Sequence, residues 1–190
     1  MADPRVALVT GAAGQIGTAL LRRLAAEGFH TAGTDLAPEP PPPVADVVGL
    51  WLPGDVTELA DMQHVVAEVL RRWSRLDVLV VNAGVTAIGT FADTSDEAFS
   101  RVMDVNFHGA LRITRAALPA LRESRGRIAV LSSVAGFAPV AGRPAYTASK
   151  HALTGLFESI RHELAADDVG LTMIYPSFLR TPPADLNSER

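Results

Sequence analysis

Short apolar runs alternate along this chain with longer stretches whose apolar residues recur every three to four positions, and this alternation predicts β-strands interleaved with helices. Six runs read as strands: 5–10 (RVALVT), 29–34 (FHTAGT), 47–52 (VVGLWL), 76–82 (LDVLVVN), 127–133 (RIAVLSS) and 171–175 (LTMIY). Most are apolar nearly throughout, as strands covered on both faces must be. Ile16, Leu20 and Leu24 form one helical stripe that ends near Gly28, a C-cap; Leu59, Met62, Val66, Val69 and Trp73 form another. A long helix is predicted over 95–122 despite Pro119, and a further one over 146–166. The run APEPPPP, 37–43, reads as a stiff loop and a shortened crossover between the second and third strands. Strand and helix in repeated succession make βαβ units on a parallel sheet.

Composition works mainly by exclusion. The chain has 190 residues, 48% of them hydrophobic, which suits one domain over 1–190 with a sizeable core. It has no cysteine, so a disulfide framework or thiolate metal site is ruled out, and its five histidines show no metal-ligand spacing. The start, MADPRVALVTG, lacks the pattern of a signal peptide, and no apolar run is long enough to span a bilayer; the expectation is a cytoplasmic protein without a membrane partner. A formal net charge of -4 without a basic block argues against nucleic acid and for small-molecule partners.

The stretch TGAAGQIG, Thr10–Gly17, follows the first strand and opens the first helix, where backbone N–H groups and the helix dipole create a site for a pyrophosphate. Gly11, Gly14 and Gly17 permit a tight turn, a close approach to phosphate and close helix–strand packing, with Gln15 and Ile16 between them. Asp35, followed by Leu36, ends the second strand, where a carboxylate accepts hydrogen bonds from the adenosine ribose hydroxyls and repels a 2′-phosphate. No Arg or Lys stands in the loop or just after Asp35, so the expected cofactor is NAD rather than NADP. Taken singly, the glycines also suit a strand end and Asp35 a turn.

Further motifs follow in order: Asp55 in GDVT, Asn82–Gly84 as NAG, Asn106 in MDVNFHG, Ser133 in SSVAG, Tyr146 and Lys150 in YTASK, and YPSFLRT over 175–181. With the glycine loop they resemble the short-chain dehydrogenase/reductase family over nearly the whole chain. The resemblance implies an α/β, Rossmann-type doubly wound parallel sheet in three αβα layers, strand order 3-2-1-4-5-6, with the family's final strand absent. It implies that Asp55 and Val56 contact adenine, that Asn82, Ala83 and Gly84 back the adenine ribose, and that residues 176–181, among them Pro176, Phe178 and Thr181, cover the nicotinamide. The resemblance implies as well that Tyr146 and Lys150 border the cofactor and that Asn106 holds a water linking Lys150 to solvent. The resemblance also implies a homodimer or homotetramer built on helices near 99–121 and 147–166, whose Phe107, Leu111, Leu153, Leu156, Phe157 and Ile160 are apolar on more than one side.

The chemistry has a reading of its own. Tyr146 and Lys150, four residues apart on a predicted helix, share a face, and an ammonium beside a phenol makes it a usable proton donor and acceptor. Ser133 lies at the C-terminal end of the fifth strand, the edge where open α/β sheets bind ligands, and its hydroxyl suits a reacting oxygen. Ser132 is its rival, and strand alternation sends the two to opposite faces. The expected activity is the interconversion of a secondary alcohol and a ketone by hydride transfer, with Asn106, Ser133, Tyr146 and Lys150 as the catalytic set. Segment 134–143 and residues after Thr181 are expected to line the substrate pocket, where Phe137 and Val140 suggest an apolar substrate and Arg143 an acidic one.

Three departures stand out. Gln15 occupies a position where the shorter-chain branch of the family usually has glycine, giving a spacing similar to that of epimerases and dehydratases; its side chain is expected to turn away from the pyrophosphate. Ser177 replaces a glycine after Pro176. The chain stops soon after its sixth strand, which is expected to form an unprotected edge belonging to a longer protein or covered by another chain. A dinucleotide-binding or redox-sensing protein without turnover, and an epimerase or dehydratase using bound NAD, are the alternative readings.

Overall fold

The computed structural model of the chain describes residues 4–177. Strands β1 (Val6–Thr10), β2 (His30–Asp35), β3 (Leu50–Pro53), β4 (Val78–Val81), β5 (Arg127–Leu131) and β6 (Gly170–Ile174) form one sheet in the order 3-2-1-4-5-6, every neighbouring pair parallel. This is the expected Rossmann-type order, with β6 at one edge among the described residues. Alternate residues of the central strands serve two separate cores. Val6, Leu8, Leu79, Val81, Ile128 and Val130 face a cluster that also holds Met62, Ile113 and Phe157. Val9, Val80 and Leu131 face a second cluster with Leu21 and Val44. Continuous apolar strands are thus buried twice, once on each side of the sheet.

The first face is covered by α3 (Leu59–Trp73), α5 (Ala110–Ser124) and α6 (Pro144–Ala166), the second by α1 (Gln15–Ala26) and the single turn α2 (Pro42–Ala45). The proline run is therefore not all loop: Pro42 and Pro43 open a helical turn, where a missing N–H loses no intrahelical bond. The turn ends as Val48 N–H donates to the Val44 carbonyl at 2.9 Å, which delays β3 to Leu50. Pro144 likewise starts α6 two residues ahead of the expected Tyr146. No described helix is long and apolar enough to cross a membrane.

The helix expected over 95–122 is present but not uniform. Ser95 caps α4 (Asp96–Met103) by accepting a hydrogen bond from Ala98 N–H at 3.2 Å. A π-helical turn then runs over Asp104–Gly109 before α5 resumes the ordinary pitch. The widened turn rotates Asn106 into the interior, where it is 1% exposed, so it is not the solvent-facing polar residue that a regular helix would allow. Gly109 closes that turn against the loop after β3: a Cβ there would lie 2.8 Å from Val56 Cγ2.

Between β1 and α1 the backbone packs too closely for side chains. A Cβ on Gly17 would run into the Gly11 carbonyl and lie 2.7 Å from Ala12 Cα, both backbone atoms that cannot swing aside. Gly17→Ala is expected to destabilise the fold by about 1–3 kcal/mol, read as a lower urea midpoint; an unchanged midpoint would show that the loop has room to spare.

Candidate active site

A cleft of about 640 Å³ opens at the C-terminal ends of the strands, bordered by the glycine loop, the ends of β2, β3, β4 and β5, and the start of α6. Gly11 takes a left-handed φ of +63°, and a Cβ there would come within 2.7 Å of Ala83 Cα. Asn82 braces the same turn, its Nδ2 donating to the carbonyls of Thr10 at 2.9 Å and Gly11 at 3.0 Å. The Thr10 hydroxyl in turn accepts from the N–H groups of Asn82 and Ala83. Gly14 is the N-cap of α1 and provides no side chain to satisfy the first-turn N–H groups. Gln15 stands exposed at the first helical position, and Gln15 and Ile16 both line the cleft.

Asp35 also lines the cleft, and its carboxylate is already at work within the protein. One oxygen accepts from Ala13 N–H at 2.9 Å and the other from Leu36 N–H at 2.8 Å, so the end of β2 holds the glycine loop in place. Leu36 is 64% exposed beside it. Farther along the edge, Asp55 accepts from the backbone and hydroxyl of Thr57, both at 2.8 Å, and lies 3.7 Å from the Arg101 guanidinium. Burial alone would raise the Asp55 carboxyl; the two Thr57 bonds and Arg101 outweigh it and hold the group below its ordinary value. Asp55, Val56 and Arg101 all line the cleft. Nothing in the sequence links Arg101 to this place, because α4 brings it in from 44 residues beyond Thr57.

At the other end of the cleft Ser133, Tyr146 and Lys150 come together, while Asn106, the fourth expected catalytic residue, is buried and bonded to Ser149 rather than lining the cleft. Lys150 is the only lysine in the chain. It is 4% exposed, and its Nζ donates to the Leu131 carbonyl at 2.8 Å, joining α6 to the end of β5. The same Nζ is 5.6 Å from the centroid of the Tyr146 ring. Burial with no carboxylate beside it pushes the Lys150 ammonium down to about 8. The Tyr146 hydroxyl has no protein partner among the described residues and faces the cleft, which Tyr146 lines.

The two serines separate just past the end of β5. Ser132 is 5% exposed and its hydroxyl shares a hydrogen bond with Thr154 at 3.0 Å, whereas Ser133 is more open and its Oγ accepts from Ala135 N–H at 3.1 Å. Ser133 therefore keeps its own proton free. Asn106 is fully engaged: its Oδ1 accepts from Val85 N–H at 2.8 Å, and its Nδ2 donates to the Val85 carbonyl and to the Ser149 hydroxyl. Ser149, whose hydroxyl donates to the Tyr146 carbonyl at 2.8 Å, was not singled out by sequence reading, although it lies inside YTASK. Gly84 sits over this group, since a Cβ there would be 3.2 Å from Asn106 Oδ1 and 3.7 Å from Lys150 Nζ. Pro176 and Ser177 line the cleft; Phe178 and Thr181 lie outside the described residues.

The buried lysine has a consequence for stability. Its pKa falls from 10.5 to about 8 on folding, so between these values the unfolded chain holds the proton more tightly and stability rises with pH. The penalty is complete below pH 8 and gone above 10.5, a span on the order of 3 kcal/mol. Urea unfolding at pH 7.5 and pH 10 is expected to show this gain in the natural chain and not in Lys150→Met; equal slopes in both proteins would contradict it.

Known proteins resemble this chain over most of its length. The chain is 37% identical over 166 residues to cis-2,3-dihydrobiphenyl-2,3-diol dehydrogenase of Paraburkholderia xenovorans, an alignment covering 83% of this chain and 60% of that enzyme. It is 34% identical over 189 residues to the oxidoreductase UcpA of Salmonella typhimurium, covering 95% and 72%. Among solved structures, a variant of the actinorhodin polyketide ketoreductase, determined with NADPH, superposes with a TM-score of 0.89 at 32% identity, covering 95% of this chain and 72% of that one. The chain spans between 60% and 72% of the length of these three relatives. The profile of the family described as short chain dehydrogenase matches residues 5–189, and together with the fold and the cleft it establishes that this chain belongs to the short-chain dehydrogenase/reductase family of oxidoreductases.

Proposed function

We propose that this chain is an NAD-dependent oxidoreductase that interconverts a secondary alcohol and a ketone, with Tyr146 as proton donor and acceptor. The observation that carries this reading is the meeting, in one cleft, of an unpartnered Tyr146 hydroxyl, a Ser133 hydroxyl with a free proton and a buried Lys150 beside an uncapped glycine-loop helix. The donor set fits a nicotinamide dinucleotide: free first-turn N–H groups of α1 suit a pyrophosphate, the left-handed Gly11 lets backbone approach it, and Asp35 stands where the adenosine ribose would end. When bound, the dinucleotide supplies the acceptor or donor of the hydride.

The protein's own share is proton transfer and placement. Ser133 Oγ already accepts from Ala135, so its O–H donates to the substrate oxygen and holds it toward Tyr146. In the oxidative direction the Tyr146 oxygen takes the alcohol proton, and in the reductive direction it returns one. The Lys150 ammonium, fixed by the Leu131 carbonyl, stabilises the negative charge that develops on Tyr146. The Asn106 side chain fastens the loop after β4 to α6 through Val85 and Ser149, and so helps to hold Tyr146 and Lys150 in place. NAD rather than NADP is favoured by Asp35, with no arginine paired to it among the described residues and no lysine available.

Fluorescence titration is expected to show NADH binding at least about tenfold more tightly than NADPH, a difference of about 1.4 kcal/mol, with the ratio narrowed in Asp35→Ser. Equal affinities in the natural chain would remove Asp35 from the ribose. For catalysis, a panel of secondary alcohols followed by NADH absorbance should find a substrate on which Tyr146→Phe lowers turnover by about 10²–10⁴-fold while NADH still binds. Near-normal turnover by that variant would overturn the proton-transfer role.

A further inference from the structure

Five arginines of the described residues are neither fully buried nor fully exposed, and Arg143 differs from the rest. Arg75 is paired with Asp77, Arg101 with Asp55, Arg112 with Asp104 and Arg161 with Glu158. The Arg143 guanidinium has no carboxylate or carbonyl partner among the described residues. It is also badly placed for local electrostatics, because Arg143 is the N-cap of the 23-residue helix α6, where the helix dipole disfavours a cation, and its side chain makes no capping bond. A half-buried, unpaired cation at the positive end of a helix needs a reason outside the helix.

The cleft supplies one. Arg143 lines it together with Tyr146, Lys150 and Ser133. The carboxylates that line the cleft, Asp35 at the end of β2 and Asp55 after β3, lie at its far side, so the end holding Tyr146 carries Lys150 and Arg143 and no acidic side chain among its described lining. Thr86, 2% exposed, lines the same cleft, and its Oγ1 is buried with no hydrogen-bond partner. The segments bearing these residues are joined, since Gly89 N–H donates to the Gly142 carbonyl at 3.0 Å. The intervening lining is apolar, from Val85, Val134, Ala135 and Val140.

Resting on the oxidoreductase reading above, we propose that Arg143 and Thr86 form a carboxylate-binding subsite and that the substrate is a short aliphatic hydroxy or keto acid. A guanidinium fork and a hydroxyl match the two oxygens of a carboxylate, and the small apolar walls match a short carbon chain between it and the reacting carbon. Arg143 stands just before the first residue of α6 and lines the same cleft as Tyr146, three residues on, so the carboxylate lies only a few bonds from the alcohol or ketone.

Two measurements on the protein saturated with NADH or NAD test this. Calorimetric titration of the NADH complex is expected to show butyrate binding about ten- to hundredfold more tightly than butyramide, a ratio that falls to about one in Arg143→Met, narrows in Thr86→Val and is partly kept in Arg143→Lys. In turnover with NAD, 3-hydroxybutyrate is expected to exceed its methyl ester in kcat/KM by a similar factor, and Arg143→Met collapses that ratio. A folding defect lowers both members of each pair together and leaves the ratios unchanged, so it cannot imitate loss of the subsite. Butyrate and butyramide bound equally by the natural chain, or a binding ratio untouched by Arg143→Met, would overturn the subsite. Tyr146-dependent turnover of neutral alcohols with no gain from a carboxylate would do the same while sparing the oxidoreductase reading. Arg143-dependent discrimination for butyrate, with no alcohol in any panel oxidised, would keep the subsite and overturn the oxidoreductase reading.

Discussion

The hydrogen bond from Lys150 to the Leu131 carbonyl is the contact on which the cleft depends. It joins the helix that carries Tyr146 to the strand end that leads to Ser133, and it does so with a charge that has been taken out of water. Burying an ammonium without a counter-ion opposes folding, as the fall of its pKa to about 8 records. Every other cationic side chain of Lys or Arg type in this protein is an arginine. An arginine at 150 would differ in kind: it carries a larger planar fork in place of a compact ammonium, and it does not release a proton in the accessible range. The chain thus carries a local loss of stability at the cleft, beside Tyr146.

Around that bond, polar groups are satisfied in a closed circuit. Asn106 takes both backbone groups of Val85 and the Ser149 hydroxyl, and Ser149 reaches the Tyr146 carbonyl. The loop after β4, the π turn and α6 are therefore set relative to one another by bonds that leave the Tyr146 hydroxyl and the Ser133 proton free. A second circuit at the opposite end ties Asn82, Thr10 and Asp35 to the glycine loop. Asp35 is the strap for that loop and lines the cleft as well, so under the proposed function one side chain would serve both loop shape and the ribose.

Parallel strands bring these circuits together, because every strand delivers its C-terminal end to the same edge. Charge is sorted along that edge. Asp35 ends β2 and Asp55, paired with Arg101, follows β3, while Lys150 and Arg143 stand near β5 and α6 with no carboxylate paired to them among the described residues. A ligand lying across the edge passes from an acidic to a basic environment, which favours one orientation over its reverse.

The sequence alone determined much of this. Runs of Val, Leu and Ile without alternation require burial on both faces, so a doubly covered parallel sheet was legible, as were the helical stripes and the glycine loop between the first strand and helix. The motif order from TGAAGQIG to YTASK pointed to Ser133, Tyr146 and Lys150, which the fold brings to one cleft, and to Asn106, which it buries against Val85 and Ser149. Such features are local or periodic, and a one-dimensional pattern records them. Other properties became visible only in the tertiary structure: the π turn that buries Asn106, the single turn within the proline run, the choice between Ser132 with Thr154 and Ser133 with a free proton, the pairing of Arg101 with Asp55, and the unpaired state of Arg143. Each depends on which distant group a buried polar atom meets. Sequence spacing carries no information about that, because partners 20 to 70 residues apart are set by how the strands and helices pack.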